Sequence, residues 1–552
     1  MKQVTVWSVI ALCVIVYLLG WHIPLMDVDA SQYASITREM LEKKSYLQLY
    51  DLNRNYLDKP PMLFWLSALS IKLLGVYDWA FRLPSFLFAL LAVYSTYKFA
   101  LLFYKKETAQ LSAVVLATSQ ALMLINHDVR TDTMLMGWTI FSIWQLAAWY
   151  RDKEWKHLLL AFISIAGGMM TKGPIALMVP VFAFAPHFIL KREWKQFFRW
   201  EYILGLIIIA ILLIPMSIGL YEQYDMHPGK LINGLPIRSG LRFYYWTQSF
   251  GRITGESSWN ENGSFFFLLQ NMLWSFLPWI IFFLIGLVVA VKQLFQQRFR
   301  LMGTQEWITI GGFILTYCAL GSSKYQLPHY IFVAYPFAAI ITANFLQQLL
   351  FDDKWVKWRK ALYVFHFVVF ILLWIVLLAL LIIPFATIPK YLAVMAAIAF
   401  VVMIILLSTK KIHQKLLFVC IYSIIGINLF LNTGFYPALL QYQMGNTAAS
   451  FIEENHLPKD KVYLYGREAG HSFHFYSNHI YSMKTQPAQL QAGDYVVVWA
   501  DSIPSLQHNW PGMEVLYQHA EFGVSMLTLP FLNPKTRDKE VRKYAIIALK
   551  AK

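Results

Sequence analysis

The sequence predicts a polytopic α-helical membrane protein of about thirteen transmembrane helices, with a small α/β domain outside the membrane at its C-terminus. Three observations predict it. Of 552 residues, 58% are hydrophobic and only 14% charged, where a soluble enzyme carries about a quarter charged. Many stretches run for about 18 or more residues almost without charge, long enough to span a bilayer as helix. The basic residues sit in short clusters between those stretches, as membrane topology requires. That placement excludes nucleic acid as the reason for the formal charge of +16.

The spans fall near residues 5–23, 80–104, 108–125, 133–150, 157–170, 174–190, 202–220, 265–291, 306–320, 330–350, 361–384, 391–408 and 414–431. The first follows "MKQVTV" and is not followed by a small-residue cleavage site, so it reads as an uncleaved span. With the N-terminus cytoplasmic, the cytoplasmic connections are "YKKE", "RDKEWK", "KREWKQFFR", "KQLFQQRFR", "DDKWVKWRK" and "TKKIHQK", all rich in Lys and Arg. The short opposite connections, such as "TKGP" and "FATIPK", carry one basic residue each. This alternation satisfies the positive-inside rule and leaves the C-terminal tail outside. Cys13, Cys318 and Cys420 lie far apart inside apolar spans and read as small core hydrophobes.

Residues 1–435 thus form the membrane domain, with two long outer loops at 24–79 and 221–264. In the first loop Tyr33, Ile36, Thr37 and Met40 recur at helical spacing, which predicts an amphipathic helix lying along the surface. The second is rich in Gly, Pro and Tyr and reads as an ordered loop. Residues 440–552 contain strand-like runs, "KVYLY", "DYVVVWA", "MEVLY" and "SMLTLP", separated by Gly, Pro and Asn.

Ionisable residues gather beside the spans on the outer face. Asp27 and Asp29 follow the first span, and Asp58 and Lys59 stand in "YLDKPPMLFW" before the second. "NHDVRTDTM" gives Asp128, Arg130 and Asp132, and "MTKGP" gives Lys172. Arg252 lies in "SFGRITGESSW", while "SSKYQLPHY" gives Lys324, His329 and Tyr330. Such groups are costly at a membrane edge unless paired, hydrated or functional, and their convergence from distant loops predicts one shared cavity. Each alone has a plainer reading. Asp29 opens a capping-box-like "DASQ", Asp58–Lys59 reads as a solvated pair before a helix start, and Lys172 reads as a snorkelling lysine.

At these loops the sequence resembles the GT-C polyprenyl-phosphate-sugar glycosyltransferases. Protein O-mannosyltransferases belong there, as does the bacterial transferase that adds 4-amino-4-deoxy-L-arabinose to lipid A, to which the resemblance runs nearest. "DASQYASITREML" resembles the family's acidic first-loop motif, "YLDKPPMLFW" its Y-x-E-K-P-P segment and "VRTDTMLM" its D-P-M element. "MTKGPIALMVP" resembles its L-T-K-G-P element and "SKYQLPHYI" its K-L-P-x-Y element. Three departures stand out. Asp29 is followed by Ala30 rather than a second acid, Asp58 replaces the family Glu, and "WTQSFGRI" stands where relatives carry a His-containing segment.

The resemblance implies an inverting transfer of a sugar from an undecaprenyl-type phosphate to a lipid or glycan acceptor, lipid A among them, at the periplasmic face of the inner membrane. A lipid-linked sugar flippase and an oligosaccharide or protein O-glycosylating ligase are the alternatives. The donor phosphate asks for cations at the membrane edge, and Lys59, Lys172, Arg252 and Lys324 are the candidates. Phosphate leaves readily once its charge is offset, so one carboxylate suffices to take the acceptor's proton. Asp29 matches the family acid for that role. Asp58 is the second catalytic candidate, orienting Lys59 or the acceptor. Tyr33, Tyr56, Asp132, His329 and Tyr330 are candidate substrate contacts. A divalent metal is allowed by this set but not indicated.

Overall fold

The computed structural model describes residues 3–232, 235–256, 263–301 and 303–550. Six helices are by themselves long and apolar enough to cross a membrane: Asp78–Phe103, Glu201–Asp225, Pro328–Phe351, Asp353–Ile382, Lys390–Ser408 and Gln414–Tyr442. Shorter apolar helices stand with them, among them Val6–His22, Ile175–Lys191, Ile280–Gln296 and Ile308–Gly321. The protein is a multi-pass membrane protein. Its outer helices turn Val368, Leu372, Ile375, Val394, Ile398 and Val401 outward, an apolar surface that only lipid covers cheaply.

The inner helices read differently. Thr131–Asp152 buries Thr131, Thr133, Thr139, Ser142 and Gln145 among its neighbours, because helices packed against helices tolerate small polar residues that lipid-facing ones do not. Small residues also let backbones close in. A Cβ on Gly137 would stand 2.7 Å from the Phe88 carbonyl oxygen, and one on Gly168 would stand 2.8 Å from the Ala176 Cβ.

Two expected spans are broken. The 108–125 span divides into Lys106–Ala117 and Gln120–Ile125. At the break Thr118 and Ser119 donate their hydroxyls to Val114 O at 2.6 Å and Leu116 O at 2.8 Å, competing with the helical ladder. The 265–291 span divides into Phe267–Ser275 and Ile280–Gln296 around Pro278, which has no N–H to give.

The outer loops are built, not loose. Helix Asp29–Lys43 does turn Tyr33, Ile36, Thr37 and Met40 inward, but it does not lie on the surface. Arg38 and Glu39, on its expected polar side, are 4% and 1% exposed. The helix is sandwiched between Met62–Leu74 and the short helix His471–Tyr476. The buried ions are carried by pairs one turn away, Arg38–Glu42 at 3.0 Å and Lys43–Glu39 at 2.7 Å. Helix Met62–Leu74 leaves Leu69, Leu73 and Leu74 exposed, an apolar edge suited to the interface.

Beyond residue 444 the chain forms a five-stranded mixed sheet. The order is Met483–Lys484, Val462–Tyr465, Tyr495–Trp499, Arg542–Ala548, Glu514–Glu521. The first three strands are parallel and the last two antiparallel. Alternation sorts the central residues: Val497 packs with Leu464 and Ile546 on one face, and Val496 and Val498 with Ala545 and Ile547 on the other. "SMLTLP" is not a strand. It is a turn leading into helix Leu529–Leu532, where Pro530 takes an early helical position. The strand it was expected to supply is Arg542–Ala548, a buried apolar run near the chain end.

Gly137 gives a direct test of the helix packing. Gly137→Ala should lower thermal stability in detergent by about 1–3 kcal/mol, the usual cost of overpacking. Gly523→Ala, where a Cβ meets nothing within 4 Å, should leave the melt unchanged. Equal melts for both would contradict the close crossing.

Candidate active site

The site begins with a hairpin. Strands Tyr50–Asp51 and Arg54–Asn55 pair across Leu52 and Asn53, both at positive φ. The Asn53 N–H donates to Glu39 Oε1 at 3.0 Å, and Gln223 donates to Leu49 O at 2.8 Å. Tyr224 donates its hydroxyl to Tyr56 O at 3.0 Å. The segment leaving the hairpin is therefore fixed before it reaches Asp58 and Lys59. Pro60 and Pro61 then lead into helix Met62–Leu74, with φ pre-set for a helix start.

Asp58 and Lys59 pair at 2.6 Å. Gln248 donates its amide to Asp58 Oδ1 at 2.8 Å and to the Asp58 carbonyl at 2.6 Å. Arg252 approaches Asp58 at 3.9 Å and donates to the Tyr330 hydroxyl at 2.8 Å. Burial works against both charges of the Asp58–Lys59 pair. Their mutual attraction outweighs it, and Asp58 is held below, Lys59 above, their ordinary ranges. Beside this pair, Lys172 pairs with Asp132, lies 4.0 Å from the centre of the Tyr330 ring, and shares Asp132 with His329 at 3.6 Å.

Asp29 is the first residue of its helix, and no side chain caps that helix at Val28. The carboxylate instead accepts from Arg130, which also holds Asp128 at 2.9 Å. The neighbouring acid, Asp27, ties the helix start down: it accepts from Ser31, and from the Ser472 N–H at 3.0 Å and hydroxyl at 2.5 Å. The capping-box reading of "DASQ" thus gives way to an ion pair at Asp29 and a tether at Asp27.

Two cavities meet here. One is an apolar groove lined by Leu135, Pro174, Ile175, Met178, Phe182, Tyr244, Phe250 and Leu320, with Asp58, Lys59, Lys172 and Arg252 at its head. The other is a polar chamber of about 550 Å³, bounded by Asp29, Gln32, Tyr33, Asp51, Asn55, Tyr56, Tyr325, His329, Glu468 and His471. That is room for a sugar-sized ligand. Leu57, Asp58, Lys59, Arg252 and Tyr330 line both. The Tyr56 hydroxyl and Arg252 Nε are buried with no hydrogen-bond partner among the described residues.

Most of the expected residues converge on this junction, with two corrections. Asp132 is 1% exposed and lines neither cavity among the described residues; in this structure it is the counter-ion of Lys172. Lys324 is exposed and lines neither cavity; its backbone N–H donates to Arg252 O at 3.1 Å. Four participants escaped the sequence reading. Gln248 lay in a quoted segment but carried no motif signal. Asp51, Glu468 and His471 carried none. Asp51 accepts from Gln32 at 2.7 Å and faces His471 at 3.1 Å. Burial lowers the His471 pKa, but hydrogen bonding and attraction from Asp51 prevail and raise it. No group of three or more His, Cys, Asp or Glu suited to a metal occurs among the described residues.

The family model of dolichyl-phosphate-mannose-protein mannosyltransferase matches residues 58–218. Undecaprenyl phosphate-alpha-4-amino-4-deoxy-L-arabinose arabinosyl transferase of Erwinia tasmaniensis is 26% identical over 339 residues, 59% of this chain and 57% of that one. Its counterpart from Edwardsiella ictaluri is 24% identical over 361 residues, 63% of this chain and 61% of that one. The chain thus spans less than two thirds of the length of these relatives. The crystal structure of ArnT from Cupriavidus metallidurans bound to undecaprenyl phosphate superposes with a TM-score of 0.73 at 18% identity, covering 99% of this chain and 98% of that one. The chain has the GT-C glycosyltransferase fold. Within this GT-C fold the family match begins at Asp58 and runs past Lys172, so it contains both ion pairs at the head of the groove.

The Asp132–Lys172 pair can be tested by removing one partner or both. Lys172→Met leaves Asp132 buried without its main counter-ion and should cost about 3–5 kcal/mol of stability. Adding Asp132→Asn should recover most of that loss in thermal melts. A Lys172→Met variant as stable as the wild type would show that the pair does not hold the helices together.

Proposed function

We propose that this protein is an inverting glycosyltransferase that moves a sugar from a polyprenyl phosphate of the undecaprenyl class to a lipid or glycan acceptor. The observation that carries this reading is the junction itself. An apolar groove and a polar chamber share Asp58, Lys59, Arg252 and Tyr330, and a prenyl-phosphate sugar has its apolar tail, anionic phosphate and polar sugar in that order. Similarity to the arabinosyl transferases and to ArnT supports the same donor class.

In this reading the prenyl tail lies among Ile175, Met178, Phe182 and Phe250. The phosphate exchanges hydration for Lys59 and Arg252, with Lys172 behind them. The sugar extends into the chamber toward Asp29, Tyr33 and Tyr56. The acceptor oxygen attacks the anomeric carbon as its bond to the phosphate oxygen breaks. The acceptor's proton passes to Asp29, and the leaving phosphate carries the electron pair. Arg130 fixes the Asp29 carboxylate for that approach. Asp58 positions Lys59. Lys324, exposed and lining neither cavity, is not assigned to the phosphate set in this reading.

A flippase is less well supported. Transporters place their polar groups near the bilayer midplane on interrupted helices, whereas here they lie at the ends of helices Met62–Leu74, Thr131–Asp152, Trp155–Lys172 and Ile308–Gly321. The reading also takes the chain as crossing the inner membrane about thirteen times, with the N-terminus cytoplasmic and both the site and the residue 440–552 domain in the periplasm. The unbroken alternation of basic loops supports that orientation.

The reading is tested at the donor phosphate, at the base and in its orientation. Lys59→Ala should weaken binding of undecaprenyl phosphate at least about tenfold by losing one charge-assisted contact. Asp29→Asn should keep donor binding and lower turnover about 10²-fold or more. Retained turnover in Asp29→Asn would remove Asp29 as the base. For orientation, reporter fusions after Arg300 and Lys552 should report opposite sides of the membrane, and a shared side would refute the topology.

A further inference from the structure

We infer that the C-terminal domain supplies the acceptor-facing wall of the chamber through Glu468 and His471, and that this wall selects an acceptor with a saccharide head. The inference rests on the proposed transfer reaction and goes beyond it, because no sequence motif falls in this part of the chain and the family model ends at residue 218.

The segment around these residues is locked onto the first outer loop. Asp27 accepts from the backbone and hydroxyl of Ser472. Tyr476 accepts from the Leu25 N–H and donates to Asp78 Oδ2, both at 2.6 Å. Gln443 joins the same strip, donating to Leu25 O at 2.9 Å and accepting from the Asp27 N–H at 2.9 Å. A Cβ on Gly470 would stand 2.3 Å from Asp27 Oδ2, so glycine at this position leaves room for the Asp27 carboxylate. His471 is thereby held with Nε2 against Asp51, and Glu468 against Arg54.

These residues line the polar chamber and not the apolar groove. The donor phosphate belongs at the shared junction, so they stand on the side from which an acceptor must come. Their chemistry fits vicinal hydroxyls. Each carboxylate offers about four acceptor sites. The amides of Gln32 and Asn55 offer donors and acceptors together, and His471 adds a donor. The Arg54–Glu468 pair is well exposed, at 71% and 40%, so it can exchange its partners for those of a ligand at little cost.

The test uses full-length protein in detergent, with lipid A micelles and a total membrane glycolipid extract as saccharide probes and a Ser/Thr peptide as the alternative. Glu468→Gln and His471→Gln should each raise the acceptor KM about tenfold or more while affinity for undecaprenyl phosphate stays within about twofold. Independently of turnover, the thiol of Glu468→Cys should react with a maleimide at least several-fold more slowly when a saccharide probe is present, and at an unchanged rate with the peptide. Protection by the peptide, no protection by either saccharide probe, or an unchanged acceptor KM would overturn the inference. If the wild type fails to bind undecaprenyl phosphate, the transfer reading falls, and the thiol experiment still decides the wall.

Discussion

Charge at the lip of an apolar bundle must be matched, and the architecture of this protein follows from that constraint. An isolated ion taken from water into such a place costs several kcal/mol even after relaxation. Here the ions near the lip meet opposite ones from elsewhere in the chain: the buried Asp132 of one helix meets Lys172 of the next, and the half-buried Asp29 of the first outer loop meets Arg130 at the start of helix Thr131–Asp152. Asp58 and Lys59 are adjacent, but Gln248 and Arg252 come from nearly two hundred residues away. The pairs decide which helix ends converge. Removing one partner therefore threatens the fold as well as the site.

On the proposed reading, the same pairing makes an anion site. Lys59 pairs with Asp58 and Arg252 donates to Tyr330 in this structure, so both are held in place without being hidden. A phosphate entering between groove and chamber competes for cations that are already oriented, and little ordering entropy remains to be lost. The chamber is rimmed by a hairpin and by the C-terminal segment, each anchored by backbone hydrogen bonds at several points. Rigid walls of this kind favour selection of a ligand by its hydroxyl pattern over adaptation to many ligands.

Much of this was legible in the sequence. Apolar runs and basic loops marked the helices, and the clustered Asp58, Lys59, Lys172, Arg252, His329 and Tyr330 marked the junction. Local signals misled where tertiary contacts decide. The surface reading of Asp29–Lys43 failed because the helix His471–Tyr476 covers its polar side, a contact more than four hundred residues away in sequence that no periodicity carries. Asp132 and Lys324 look equivalent to their neighbours in sequence, and only burial and position separate a counter-ion and an exposed lysine from cavity-lining groups. Glu468 and His471 sit in a region with no motif, and their part in the chamber depends on the fit of Gly470 against Asp27.

The central claim is that groove and chamber meet at a phosphate site. A density map of the protein bound to undecaprenyl phosphate tests it most directly. The phosphate should lie between Lys59 and Arg252, within hydrogen-bond reach of both, with the prenyl chain running past Ile175, Met178 and Phe182. A phosphate found elsewhere, or a prenyl chain outside that groove, would contradict the account.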